Sequence, residues 1–131
     1  MTKVFLGGTC NGSTWRDALI PMLSIEYFNP VVDDWTPECA AEEARQRMVC
    51  DYCLYVLTPK MTGTFAVAEV VDDSNKRPEK TILCVLHEDD GMEFDAHNLK
   101  SMAQIEKMVA ENGARICANL QDIAALPELQ R

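Results

Sequence analysis

Two uninterrupted runs of apolar β-formers constrain this chain more than any other feature: residues 52–58 (YCLYVLT) and 81–86 (TILCVL). Neither alternates with polar residues, so both faces of each strand need covering, as in the middle of a parallel sheet. Between them, after the breaks at Pro59 and Gly63, residues 64–76 (TFAVAEVVDDSNK) place apolar side chains at helical spacing. Strand, helix, strand is a crossover unit, and strand twist makes such a crossover right-handed.

The same alternation extends both ways along the chain. A strand at 3–8 (KVFLGG) leads through a Gly-containing loop into a helix at about 14–23, which Pro21 shortens or kinks, and then into a strand at 25–32. Thr36 caps a helix that starts at Pro37 and carries Glu38, Glu42 and Glu43 in its early turns, an arrangement suited to the positive end of the helix dipole. After the second buried run come a polar surface excursion at 87–98, a helix at 99–111 stopped by Asn112-Gly113, a short strand at 115–117 and a last helix at 120–125. The whole pattern predicts an α/β fold: a doubly wound three-layer sandwich with a five-stranded parallel sheet in the order 2-1-3-4-5, the flavodoxin-like arrangement.

A chain of 131 residues has the length of one domain, here residues 1–131. Its net charge of −9 is the wrong sign for gripping a phosphate backbone or an anionic membrane, so nucleic-acid polymers and lipid surfaces are not expected partners. No apolar run approaches a membrane span, and the chain passes from Met1-Thr2-Lys3 straight into strand pattern, which reads as cytoplasmic. Several of the six cysteines sit inside apolar runs, where they act as small hydrophobes and are expected to be reduced. Cys50 and Cys53 form a CxxC that runs from a helix end into a strand, the wrong place for a stabilised thiolate. No second pair at zinc spacing exists and His87 and His97 stand alone, so no metal or cofactor is expected.

In this fold a ligand sits beyond the carboxyl ends of the strands, where the first and third diverge. Four segments reach that edge: residues 7–16, 33–38, 58–64 and 86–91. Gly7, Gly8, Thr9 and Asn11 can bring backbone N–H groups to a ligand and Arg16 can meet an anion, or the loop is simply a tight turn. Asp34 and Trp35 can bond and stack on a planar ring, or serve as capping and rim residues. Met61, Gly63 and Thr64 precede the third helix. On that helix Glu69 stands in a very apolar segment, on a face shared with Thr62, Phe65, Asp72 and Lys76, while Ala66, Val67 and Val70 face the sheet. A helical side chain leans toward its own N-terminus, so Glu69 either reaches the crevice or pairs with surface neighbours.

The strand Lys3-Val4-Phe5-Leu6-Gly7-Gly8, the Asp51 that opens DYCLYVLTP, and Gly63-Thr64 leading to Glu69 together resemble the nucleoside 2-deoxyribosyltransferase family, in a small divergent branch. The family shows an Asp before the third strand, a Gly-containing turn after it and a helix Glu in that order, and the eighteen residues from Asp51 to Glu69 are similar to the interval there. The resemblance covers about residues 3–87. It implies that Glu69 is the nucleophile that attacks the anomeric carbon of a 2'-deoxynucleoside and holds a covalent deoxyribosyl intermediate. Glu43, eight residues before Asp51, stands where the family usually has an Asp that handles the base or its proton. Phe5 stands where a Tyr commonly steadies the nucleophile, so that support is missing or comes from elsewhere, and the resemblance leaves Asp51 a structural role. The resembling enzymes are homo-oligomers that share sites, which implies at least a homodimer.

The chemistry fits a carboxylate pair. Breaking an N-glycosidic bond builds positive charge on the sugar and negative charge on the base, so an ionised carboxylate should face the sugar and a proton donor the base. The expected function is transfer of 2-deoxyribose between bases, with a deoxynucleoside or deoxynucleotide and a free base as partners. The alternatives are hydrolysis of a deoxynucleoside or its 5'-monophosphate, a non-catalytic nucleotide-binding module, and an interaction protein using its acidic surface.

Overall fold

The computed structural model describes residues 2–10 and 12–131. Its chain order is β1 (Lys3–Gly8), α1 (Trp15–Leu19), β2 (Glu26–Phe28), α2 (Pro37–Val49), β3 (Tyr52–Leu57), α3 (Phe65–Lys76), β4 (Thr81–Val85), β5 (Glu88–Asp89), β6 (Met92–Glu93), α4 (Ala96–Glu111), β7 (Arg115–Cys117) and α5 (Leu120–Ala124). The main sheet runs β2-β1-β3-β4-β7 with every pairing parallel, which is the expected order with β7 as the fifth strand.

The two apolar runs sit where their composition requires. From Cys53 to Leu57 along β3, and from Thr81 to Val85 along β4, every residue is buried. Successive side chains leave a strand on opposite faces. Leu54 and Val56 therefore join Val4, Leu6, Ile82 and Cys84 beneath Trp15, Leu19 and Ile123, so α1 and α5 cover one face. Cys53, Tyr55 and Leu57 join Phe5, Leu83 and Val85 against Val70, Met102 and Val109, so α3 and α4 cover the other. Each fully buried aliphatic side chain contributes about 1.5–3 kcal/mol.

Four elements differ from the sequence pattern, each for a local reason. β2 spans three residues instead of eight, because Pro30 brings no N–H to the ladder and the Asn29 side chain accepts from Val31 N at 3.0 Å, turning the chain away. α1 stops at Leu19 and tightens into a 3-10 turn over Ile20–Met22 around Pro21. α4 begins at Ala96, three residues early, since the Asp95 side chain accepts from Asn98 N at 2.7 Å and caps it. The polar excursion contains a hairpin, β5 and β6, whose two turn residues Asp90 and Gly91 have φ of 52° and 81°.

That hairpin ties the carboxyl edge of the sheet together. Ser13 Oγ donates to Asp89 at 2.6 Å, and Lys60 Nζ donates both to Asp90 at 2.6 Å and to the Gly12 carbonyl at 2.8 Å. At the opposite edge Asp51 accepts from Lys3 N at 2.8 Å while its own N–H donates to the Lys3 carbonyl, so it locks β1 to β3 far from the loops. Among the described residues no helix is long and apolar enough to cross a membrane.

Where β1 ends, Gly8 has a φ of +116°, and a Cβ there would fall on the Val56 backbone, 2.6 Å from its nitrogen. Gly12 also has a positive φ, +74°, but a Cβ there would meet open space. Gly8→Ala should therefore cost at least ~3 kcal/mol, and Gly12→Ala only about 1 kcal/mol. Urea unfolding of the two variants checks the difference; equal losses would contradict the close approach of β1 to β3.

Candidate active site

Beyond the carboxyl ends of β1 and β3 lies a cleft of about 260 Å³, lined by the loop after β1, by Pro30, by Glu43 from α2, and by Met61, Gly63, Phe65 and Glu69 from the start of α3 and the turn before it. It is at the small end of ligand sites and suits one small molecule.

Arg16 braces the loop wall from behind. Arg16 is 4% exposed, and its guanidinium donates to the carbonyls of Leu6 at 3.0 Å and Thr9 at 2.7 Å, with a longer contact of 3.5 Å to Gly8. Trp15 Nε1 donates to the same Thr9 carbonyl at 2.8 Å, and the Thr9 hydroxyl accepts from Thr58 N at 2.9 Å. Arg16 thus lines the cleft, but its donors are largely committed to backbone, and its role in the loop is broader than the anion contact read from its position.

Glu69 lies in the second turn of α3 and lines the cleft, the first of the two placements that its helical position left open. Among the described residues its carboxylate accepts no hydrogen bond, so its lone pairs remain available. Burial pushes its pKa up to about 7; the Arg47 charge opposes the rise, and the Glu43 and Asp73 charges add to it. Glu43 shares the cleft, and burial raises its pKa too, against the pull of the Arg16 charge. Two carboxyl groups facing one small cleft, both biased toward the neutral form, divide readily into one proton holder and one anion.

Beneath Glu69 lies a charged knot that the sequence reading missed. Asp73 has no solvent exposure, and Arg47 from α2 grips it with Nε at 3.0 Å and Nη2 at 2.9 Å. Tyr55 of β3 donates its hydroxyl to Asp73 at 2.5 Å, and Arg77 donates from the end of α3. Burial opposes ionisation of Asp73, but these bonds outweigh it and hold the carboxyl below its usual range. The same Arg47 Nη2 reaches Asp72 at 2.9 Å and the Glu69 carbonyl at 3.4 Å. Two signals pointed to the knot: Asp73 falls three residues after Val70 on the stripe assigned to the sheet, and a phenol inside a wholly buried strand needs a partner.

The structure brings Gly7, Gly8, Thr9, Arg16, Glu43, Met61, Gly63 and Glu69 to one cleft. It leaves others off the lining. Trp35 is 67% exposed and Asp34 is also exposed, because α2 starts at Pro37 right after its cap Thr36 and the preceding loop turns outward. Thr64 is exposed and makes no side-chain cap, its carbonyl receiving Val67 N at 3.0 Å. The hairpin at 88–93 supports the loops and does not line the cleft. Asn11 lies outside the described residues. Phe5 is fully buried, stacked on Phe28 at 5.9 Å and edge-on to Tyr55, behind the site instead of in it. Cys50 and Cys53 are buried thiols, and burial raises the pKa of both, Cys53 up to about 12, which disfavours a thiolate pair there.

A family model described as nucleoside 2-deoxyribosyltransferase like matches residues 1–88, two thirds of the chain, and the chain belongs to that family. The matched stretch contains β1 to β4 and every residue of the cleft. No curated protein and no solved structure matches the chain significantly. Membership suggests a related, glycosyltransferase-like function.

A carboxyl whose pKa is higher folded than unfolded binds its proton more tightly in the native chain, so its ionisation removes stability as pH rises from about 4.5 to about 7. Glu69→Gln abolishes that loss. At pH 8 the variant should be more stable than the parent by on the order of 2 kcal/mol, a few degrees in Tm, with no gain at pH 4. Thermal melts at the two pH values check this, and a pH-independent difference would place Glu69 in solvent.

Proposed function

We propose that the protein transfers 2-deoxyribose between nucleobases through a covalent intermediate on Glu69. The observation that carries the reading is the pairing of Glu43 and Glu69 across one small cleft, with the Glu69 oxygens accepting no hydrogen bond among the described residues. In the first half, a Glu69 oxygen forms a bond to the anomeric carbon as the carbon–nitrogen bond breaks. The bonding pair leaves with the base, which takes the proton of the Glu43 carboxyl. In the second half, Glu43 takes the proton of an incoming base as its nitrogen attacks the same carbon, releasing the Glu69 carboxylate. Attack requires ionised Glu69 and departure of the base requires protonated Glu43, so the rate should pass through a maximum with pH and fall on both sides.

Hydrolysis of a deoxynucleoside or its 5'-monophosphate is the second reading, with water in place of the incoming base. One observation favours it: Trp35 lies off the lining and does not stand over the intermediate to hold an acceptor base against water. For the sugar, the apolar neighbours Met61 and Phe65 offer no partner for a 2'-hydroxyl, and an unpaired buried hydroxyl costs roughly 1–3 kcal/mol.

The decisive experiment incubates a deoxynucleoside with a second free base and follows exchange by chromatography, beside Glu69→Gln and matched ribosides. Exchange should fall at least about a thousandfold in Glu69→Gln, and deoxyribosides should react at least about tenfold faster than ribosides. Exchange that survives in Glu69→Gln overturns the nucleophile, and base release indifferent to the acceptor assigns a hydrolase.

The cleft is shallow, and its apolar rim is bare: Phe65 is 73% exposed, and Val31, Val32 and Trp35 follow the lining residue Pro30. A second copy closing over this rim would complete each site, so light scattering at micromolar concentration should give at least a homodimer. A monomer would remove the shared site from the proposal.

A further inference from the structure

If Glu69 is the nucleophile, something must hold its carboxylate at one place against a sugar carbon, yet among the described residues it accepts no hydrogen bond. Its support lies one layer below. Arg47 sits one turn after Glu43 on α2, so the two side chains share a helix face. It reaches α3 at three successive places: the Glu69 carbonyl, Asp72 and Asp73.

We propose that Arg47 is a positioning residue for the two cleft carboxylates: by bridging α2 to α3 it sets how far apart Glu43 and Glu69 stand, and it keeps a positive charge behind Glu69. The inference rests on the transfer reading of the cleft.

The packing of α2 makes this bridge decisive. The helix buries a single side chain, Gln46, while Met48 and Val49 are more than half exposed, so apolar contact does little to seat it. Arg47 is the polar counterpart of that missing contact. Its planar fork meets both oxygens of Asp73, and Asp73 is itself anchored to β3 through Tyr55 and to the end of α3 through Arg77. Glu43 rides on the helix that Arg47 pins, and Glu69 on the helix to which it is pinned. The charges that face Glu69 are Glu43 and Arg47 from α2 and Asp73 from its own helix, with Arg16 and the Cys10 thiol on the far wall beside Glu43. Arg47 is the one cation in the first group, so it offsets what burial and two carboxylates impose.

The test compares Arg47→Gln, which keeps polar reach and loses the charge, with Arg47→Lys, which keeps the charge and loses the fork. The readouts are the carbon-13 titration of the Glu69 carboxyl, assigned by its disappearance in Glu69→Gln, and the pH profile of base exchange. In Arg47→Gln the Glu69 midpoint should rise by about one unit or more, with exchange at pH 7 down about tenfold and the acid limb of the pH profile displaced upward by the same amount. In Arg47→Lys the midpoint should stay within about half a unit, while kcat falls several-fold with KM hardly changed. An unchanged midpoint in Arg47→Gln overturns the charge role, and wild-type kcat in Arg47→Lys overturns the positioning role; should Arg47→Gln not fold, Arg47→Lys decides alone. Absence of exchange in the parent, or its survival in Glu69→Gln, counts against the transfer reading only, because the carboxyl titration is read without substrate.

Discussion

A carboxylate with no access to solvent is tolerable only when its hydrogen-bonding capacity is filled, and the way Asp73 meets that condition organises the functional half of this molecule. Its partners come from three elements: Arg47 from α2, Tyr55 from the central strand β3, and Arg77 from the end of α3. Removing any one would leave charge or a phenol buried without its complement. The helix that carries Glu43 is thus joined to its neighbours chiefly through one ionic centre, whereas the helix that carries Glu69 also packs Val70 into the apolar core.

The other wall of the cleft follows the same logic with different groups. The loop after β1 makes close approach to β3 at Gly8, and its carbonyls, which the sheet cannot satisfy, receive the Arg16 guanidinium and the Trp15 indole. A buried cation whose donors are spent on backbone carbonyls has little left to offer an anion. Burial then favours the neutral forms of Glu43 and Glu69, the electrostatic setting in which one carboxyl keeps a proton while the other gives it up.

Much of the fold was legible in the chain because its cues are local. Unbroken apolar runs mark β3 and β4, Thr36-Pro37 and Asn112-Gly113 mark helix ends, and Pro21 marks where α1 tightens. The errors were local as well. Pro30 shortens an edge strand, and Asp90-Gly91 makes a hairpin where polarity alone suggested a featureless excursion. Glu69 was legible as a candidate for a related reason: a carboxylate in the second turn of a very apolar helix either leans toward the carboxyl edge of the sheet or pairs on the surface, and the chain alone left that choice open.

What the sequence by itself determined was the sheet, its order, and the presence of Glu69 and Glu43 on helices that begin at one edge. These follow from periodicity, which needs only neighbours along the chain. Only the tertiary structure decided which polar groups meet: that Asp34 and Trp35 turn outward, that Arg16 serves its own loop, and that Arg47, Tyr55 and Asp73 close on one another from three elements. Such meetings depend on the distance between elements far apart in the chain, and no pattern within any one of them encodes that distance.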